Sequence, residues 1–345
     1  MGIIGRHSFE LCSRPRIISS ASYVGDKEGK GPLRECFDKI CRDDTLGLDS
    51  WEQAESRMFE SAVRVALVKI KRQSDDLSCL LGGDLLNQII SSGFAAREIR
   101  APFIGLYGAC STISEGLMLG GMLVDGGFAE LAACAASSHF SAAERQFRYP
   151  LEMGVQAVPS SQRTVTGAGS IIIQAAGEFR PGAGNVFEHV ALTGGTIGSV
   201  EDFGITDANN MGAAMAPAAF KTIKTHLSDY SRRVEDYDRI ITGDLGIFGS
   251  DMLYELLRGE GIEIADRHED CGKLMFSPEQ NVNCGASGCG CAATVMSSWF
   301  LPKIESGEIR RVLFLATGAL MSPVSSLQGE SIPSIAHAVV IEHID

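Results

Sequence analysis

The chain has 345 residues and a formal net charge of −13, with 45% of its residues hydrophobic and 21% charged. That length and apolar content can build one large core or two ordinary ones. The acidic balance excludes a nucleic-acid binder, which needs a basic face, and leaves no long-range field to draw in an anion, so an anion site has to be made from local donors.

No stretch approaches the roughly 18 uninterrupted apolar residues of a spanning helix. The opening MGIIGRHSFELCSRPR lacks the apolar core of a signal peptide, and Arg6 stands where a myristoylation signal wants Ser or Thr. A cytoplasmic protein is expected, free to dock peripherally on a membrane complex. The 10 cysteines do not form a disulfide framework in a chain of this size and compartment. Cys271, Cys284, Cys289 and Cys291 lie close in sequence without any C-x-x-C pair, so buried packing thiols are expected there rather than zinc or an iron–sulfur cluster.

In chain order, an amphipathic helical run, SAVRVALVKIKRQ (61–73), leads through an acidic turn into the apolar strand CLLGGDLL (79–86). The strand APFIGLYGA (101–109) then delivers Cys110 to the start of a helix, ISEGLMLGGMLVDGGF, which feeds the strand ELAACAAS (130–137). After the Gly/Pro-rich PGAGN (181–185) the pattern returns. The helix AAFKTIKTHLSDYSRRVEDYD leads into RIITGDLG (239–246), and a segment around Cys289 and Cys291 opens AATVMSSWFLPKIESGEI, which feeds RRVLFLATGAL (310–320). Both first strands end in Gly-Asp-Leu, with Asp84 and Asp244 160 positions apart. Helix–strand alternation with apolar, two-sided strands predicts an α/β protein with parallel sheets covered by helices. The repeat predicts two pseudo-symmetric halves, 1–183 and 184–345.

Cys110 at a strand–helix elbow has its sulfur at a helix N-terminus, where free N–H groups and the helix dipole favour a thiolate. Gly108 and Ala109 permit the sharp turn that projects it. TGAGS (166–170) and GASGCG (285–290) lack the G-x-G-x-x-G spacing of a dinucleotide site and read as close-approach backbone beneath a pocket.

G-A-C-S-T before a long helix, the duplicated halves, the segment Gly285-Ala286-Ser287-Gly288 and the closing AHAVVIEHI resemble the thiolase and β-ketoacyl synthase superfamily. Within it, GDLLNQ, SSHFSAAERQFRYP, TVTGAGS, ITDANNMGAAMAPAA, RHEDCG and ESIPSIAHAVV resemble the stage V sporulation protein AD family nearly end to end. The resemblance implies the five-layered αβαβα thiolase fold. It also implies binding of dipicolinic acid (pyridine-2,6-dicarboxylate) or its calcium chelate, and uptake of it into the developing spore with other SpoVA proteins at the spore membrane. By analogy with the superfamily a homodimer is expected, with no cofactor and no resident metal.

Set against that superfamily, the catalytic set is incomplete. Asn281-Val282-Asn283-Cys284-Gly285-Ala286-Ser287-Gly288 has Val282 where thiolases carry a His, and Val can neither move a proton nor donate a hydrogen bond. Glu330 or Ser331 falls near the place of the second thiolase Cys. A binding protein is therefore expected, with Cys110 a vestigial nucleophile; an acyltransferase using Cys110 is the competing reading. The expected pocket residues are Cys110, His139, His337 and Ser331, with Arg145 and Arg148 of ERQFRYP as carboxylate donors beside Phe147 and Tyr149. His268 is an alternative catalytic-type His. His7, His226 and His343 are expected to be solvated and His189 structural.

Overall fold

Ser50 accepts the N–H of Gln53 at 3.3 Å and so caps the first long helix, α1 (Trp51–Lys69). In the computed structural model, residues 2–147 and 158–345 are described. Two five-stranded arrays carry the fold. The first is β1 (Arg16–Val24), β2 (Cys79–Gly83), β3 (Phe103–Gly105), β4 (Leu131–Ser138) and β5 (Gly167–Gln174). The second is β6 (Val190–Thr196), β7 (Arg239–Thr242), β8 (His268–Asp270), β9 (Arg311–Ala319) and β10 (Ser334–His343).

In space the strands run β3-β2-β4-β5-β1 and β8-β7-β9-β10-β6, so each half repeats one order. The arrays meet at β1 and β6 through the single pairing of Arg16 with Ala191. Parallel pairing joins β2 to β3 and β4, and β7 to β8 and β9. The β4–β5, β5–β1, β9–β10 and β10–β6 pairs are antiparallel. The expected parallel pairing therefore holds where β2 and β7 meet their neighbours, and the remaining pairs depart from it as antiparallel neighbours.

Alternation along the strands sorts the core into layers. Leu80, Ala133 and Ala135 face Met58, Phe59 and Ala62 of α1 on the outer side. Leu81 and Cys134 face Ile113 and Leu117 of the central helix α3 (Thr112–Asp125), which also meets Phe314 and Val339 of the second array. Beside α3 lies the second central helix, α7 (Cys289–Val295). On the far side Leu313, Leu315, Ala338 and Val340 pack under α5 (Met211–Asp229). Two further helices, α2 (Ile90–Ile99) and α6 (Gly246–Arg258), complete the outer layers, and α4 (Phe140–Phe147) follows β4. The result is helix, sheet, helix, sheet, helix, with both central helices starting near the junction of the halves.

Candidate functional site

The elbow before α3 is a strained turn. Ala109 takes φ +49°, a left-handed conformation that costs a non-glycine residue about 1–2 kcal/mol, and it turns the chain so that Cys110 projects sideways. Gly318 at the end of β9 leaves the room: a Cβ there would lie 2.0 Å from the Gly108 carbonyl oxygen.

The Cys110 thiol is buried. Its sulfur lies 4.0 Å from Ser287 Oγ, and the Asp244 carboxylate is close enough for its charge to act on the thiol. Asp244 is itself fully buried and densely solvated by protein. Ser287 Oγ donates to its Oδ2 at 3.1 Å, the N–H of Gly288 donates to the same oxygen at 2.9 Å, and Thr317 Oγ1 donates to Oδ1 at 3.0 Å. Burial is the largest effect on both acids. It pushes the Asp244 carboxyl up to about 7 against those hydrogen bonds. It also pushes the Cys110 thiol well above its usual value, and the Asp244 charge adds to that rise. The thiolate expected at the helix start is thus overruled. A helix terminus contributes at most about 2 kcal/mol, or ~1.5 pKa units, whereas full burial moves a group by up to ~3–5.

Why Asp244 is available follows from the repeat. In the first half Asp84 is consumed by its own loop: its oxygens accept the N–H of Leu86 at 2.8 Å, and the N–H and hydroxyl of Ser92 at 2.7 and 2.6 Å. In the second half Asp270 takes over that duty by accepting the N–H groups of Leu245 and Gly246. Asp244 is left to face Cys110.

Above the thiol opens a narrow cavity of about 50 Å³. Its floor is Ala109, Cys110, Thr164 and Ser287, and its walls are Leu85, Tyr107, Phe147, Met211, Met215 and Met321, with Ala143, Glu144 and Ala319 at the sides. These walls are contributed by both halves of the chain.

Of the described residues expected to hold a ligand, Cys110 alone lines this cavity. His139 is fully buried with Nε2 on the carbonyl of Asp44 at 2.8 Å, and burial lowers its pKa. His337 lies within β10 opposite Ala316, on the face shared with Val339 and Ile341. Its Nδ1 accepts the N–H of Gly198 at 3.2 Å, and burial holds its pKa down to about 4. Ser331 donates to Asp202 at 2.6 Å on the surface. Arg145 is exposed, pairs with Glu52 and lies over the Trp51 ring. Arg148 and Tyr149 lie outside the described residues. His268 is enclosed by Thr242 and Tyr254, each at 2.8 Å, and burial keeps it neutral down to about 3. His226 is fully buried between Thr196 and Tyr237, not solvated as its polar neighbours in sequence suggested.

None of the seven histidines lines the cavity, and neither does Val282, which stands in the place of the thiolase His. Asp244, Ser287, Glu144 and the methionines are residues that sequence reasoning missed. The Gly-Asp-Leu repeat marked Asp244, though only as an organisational feature. The neighbouring thiols are held separately: Cys289 donates to the carbonyl of Ala109 at 2.8 Å, and Cys291 to that of Gly243 at 3.6 Å.

A buried cysteine at a helix-start elbow, set between two equivalent halves, places the chain among the thiolase-fold proteins. Solved structures agree on the fold. Cerulenin-bound OleA of Xanthomonas campestris superposes with TM-score 0.58 at 14% identity, covering 98% of this chain and 98% of that one. Human mitochondrial 3-ketoacyl-CoA thiolase in complex with CoA gives 0.59 at 11%, covering 98% and 100%. FabH, the 3-oxoacyl-(acyl carrier protein) synthase III of Pseudomonas aeruginosa PAO1, gives 0.55 at 11%, covering 96% and 99%. The chain belongs to the stage V sporulation protein AD family, whose model matches residues 5–342. The stage V sporulation protein AD of Bacillus subtilis (strain 168) is 43% identical over 343 residues, 99% of this chain and 98% of that protein. Among the described residues no helix is long and apolar enough to cross a membrane.

Proposed function

We propose that this chain is a sporulation protein that binds dipicolinic acid, or its calcium chelate, in the Cys110 cavity and takes part in its uptake into the developing spore without catalysing a reaction. The observation that carries the non-catalytic reading is the thiol's surroundings: burial and the nearby Asp244 charge hold Cys110 in its protonated form, and none of the seven histidines lines its cavity. An acyl-transfer nucleophile needs surroundings that favour its thiolate and donors that hold an oxyanion.

The cavity supports a flat, compact ligand. Tyr107 and Phe147 give aromatic faces and three methionines give polarisable, adaptable walls. Glu144 and the underlying Asp244 disfavour a bare dianion, so the calcium chelate, in which the metal neutralises both carboxylates, suits these walls better. Action with other SpoVA proteins at the spore membrane, as a peripheral homodimer, belongs to the same proposal.

Calorimetric titration of dipicolinate, with and without calcium, tests it. Saturable binding that Ala319→Phe abolishes by filling the cavity is the expected result. Absence of binding in both titrations, together with an acyl adduct on Cys110 after incubation with acyl-CoA, would overturn it in favour of an acyltransferase. The strained turn at Ala109, which still aims Cys110 into the cavity, is what keeps that second reading in view.

A further inference from the structure

We propose that Asp244 makes ligand binding proton-linked: it takes up one proton when a carboxylate-bearing ligand enters, and Ser287 then turns its hydroxyl hydrogen into the cavity. The inference rests on the binding role proposed above and concerns the residue that sets the charge of that site.

The geometry carries it. Ser287 Oγ and the Gly288 N–H converge on Oδ2 of the Asp244 carboxylate, Thr317 occupies Oδ1, and the Cys110 sulfur lies 4.0 Å from Ser287 Oγ. With the carboxylate ionised, every one of those hydrogens points down at it. Ser287 then shows the cavity a lone pair in place of its hydrogen, which repels an anion. Two of the three donors are hydroxyl groups, and such groups rotate and also accept hydrogen bonds. Once Asp244 carries a proton, its O–H donates to Ser287 Oγ, and the Ser287 hydrogen is released to a ligand carboxylate. The balance is simple: one proton moves from solvent to the Asp244 carboxylate, by way of Ser287, and no other bond is made or broken.

Among the described residues no ion pair reaches Asp244 to supply another counter-charge. From the elbow before α3 it is faced by Cys110; from α7 by Cys289 and Cys291; from β9 by Thr317; from the end of β8 by Asp270, a second buried acid that raises it further. Cys271 lies near it on the same side, and Gln162 donates to its main-chain carbonyl rather than to its carboxylate. Glu144 is the acid on the cavity wall. Burial already holds the Asp244 carboxyl near 7, so a nearby ligand anion completes a protonation that is half accomplished at neutral pH.

The test is calorimetric titration of dipicolinate in buffers of different ionisation enthalpy, which counts protons taken up on binding. Carboxyls of the ligand's type ionise near pH ~4, so at pH 7–8 the protons counted belong to the protein. For the wild type the expected uptake is about half a proton at pH 7 and about one at pH 8, with affinity falling up to about tenfold per pH unit above 7. Asp244→Asn should bind with no uptake and no pH dependence over that range, while Glu144→Gln keeps the uptake whatever its affinity. Binding without uptake in the wild type overturns the inference alone, and so does uptake that survives in Asp244→Asn but is lost in Glu144→Gln. Absence of binding at every pH, with and without calcium, overturns the binding role as well.

Discussion

Replacing Asp244 by Asn should make Cys110 more reactive, a direction opposite to that expected in an enzyme. The carboxylate raises the thiol by its charge, second only to burial. One like charge at this range shifts a pKa by about 1–3 units, so the thiolate fraction at pH 8 rises about 10- to 1000-fold. A thiolate of lower pKa is also less nucleophilic, with a Brønsted slope of about 0.4–0.5. Roughly half the gain on a logarithmic scale survives, or a 3- to 30-fold faster reaction with a small disulfide reagent. Peptide-mapped labelling at pH 8 reads this out, with the exposed Cys12 as the internal standard. A slower reaction in Asp244→Asn would mean that Asp244 acts as a base toward the thiol, and would refute the reasoning. Asn retains an oxygen for the Gly288 N–H, so the elbow should keep its shape.

Three further outcomes follow from the same geometry. Ala109→Val should destabilise the protein by about 1–3 kcal/mol, because a β-branched residue resists the left-handed turn, while Ala109→Gly should change stability by less than about 1 kcal/mol; denaturant midpoints separate the two. Gly318→Ala places a Cβ against the Gly108 carbonyl and should cost about 1–3 kcal/mol, with Cys110 labelling faster as the elbow shifts. Glu28 is held up to about 7 by burial, from 4.5, against the hydrogen bond from the Thr166 N–H. The folded form keeps its proton while the unfolded form loses it, so this stabilisation is full below pH 4.5 and fades as pH rises through 7. The stability of the wild type relative to Glu28→Gln should therefore fall by about 3 kcal/mol between pH 4 and 8. A difference that stays constant across that range would contradict the buried placement of Glu28.

The repeat made the fold legible. Helix, acidic turn and strand ending in Gly-Asp-Leu recur because each half lays its five strands in the same order. The Cys110 elbow was legible too, since a strand ending at small residues before a long helix can only turn sharply. What failed to show was direction. ERQFRYP offers Arg145 as a carboxylate donor, but α4 continues through Phe147. One residue along a helix rotates the side chain by about 100°. Glu144 and Phe147, three apart, therefore share the cavity face, and Arg145 is turned out toward Glu52 and Trp51. His337 is expected in the pocket, yet β10 begins at Ser334 and strand alternation sends its ring to the face of Val339. Asp244 could not be recognised as the partner of Cys110 because the two are 134 positions apart. Nothing local reveals that Asp270 relieves it of the loop duty that its repeat-mate Asp84 performs.

The most direct test of the central claim is ligand protection of Cys110. Purified protein would be labelled with a small disulfide reagent at pH 9, with and without saturating dipicolinate and calcium, and each cysteine followed by peptide mapping. Occupation of the cavity predicts that Cys110 labelling slows at least tenfold while exposed Cys12 is unaffected. Equal rates at Cys110 with and without ligand would contradict the account, because nothing flat enough to fill that cavity could leave its floor open.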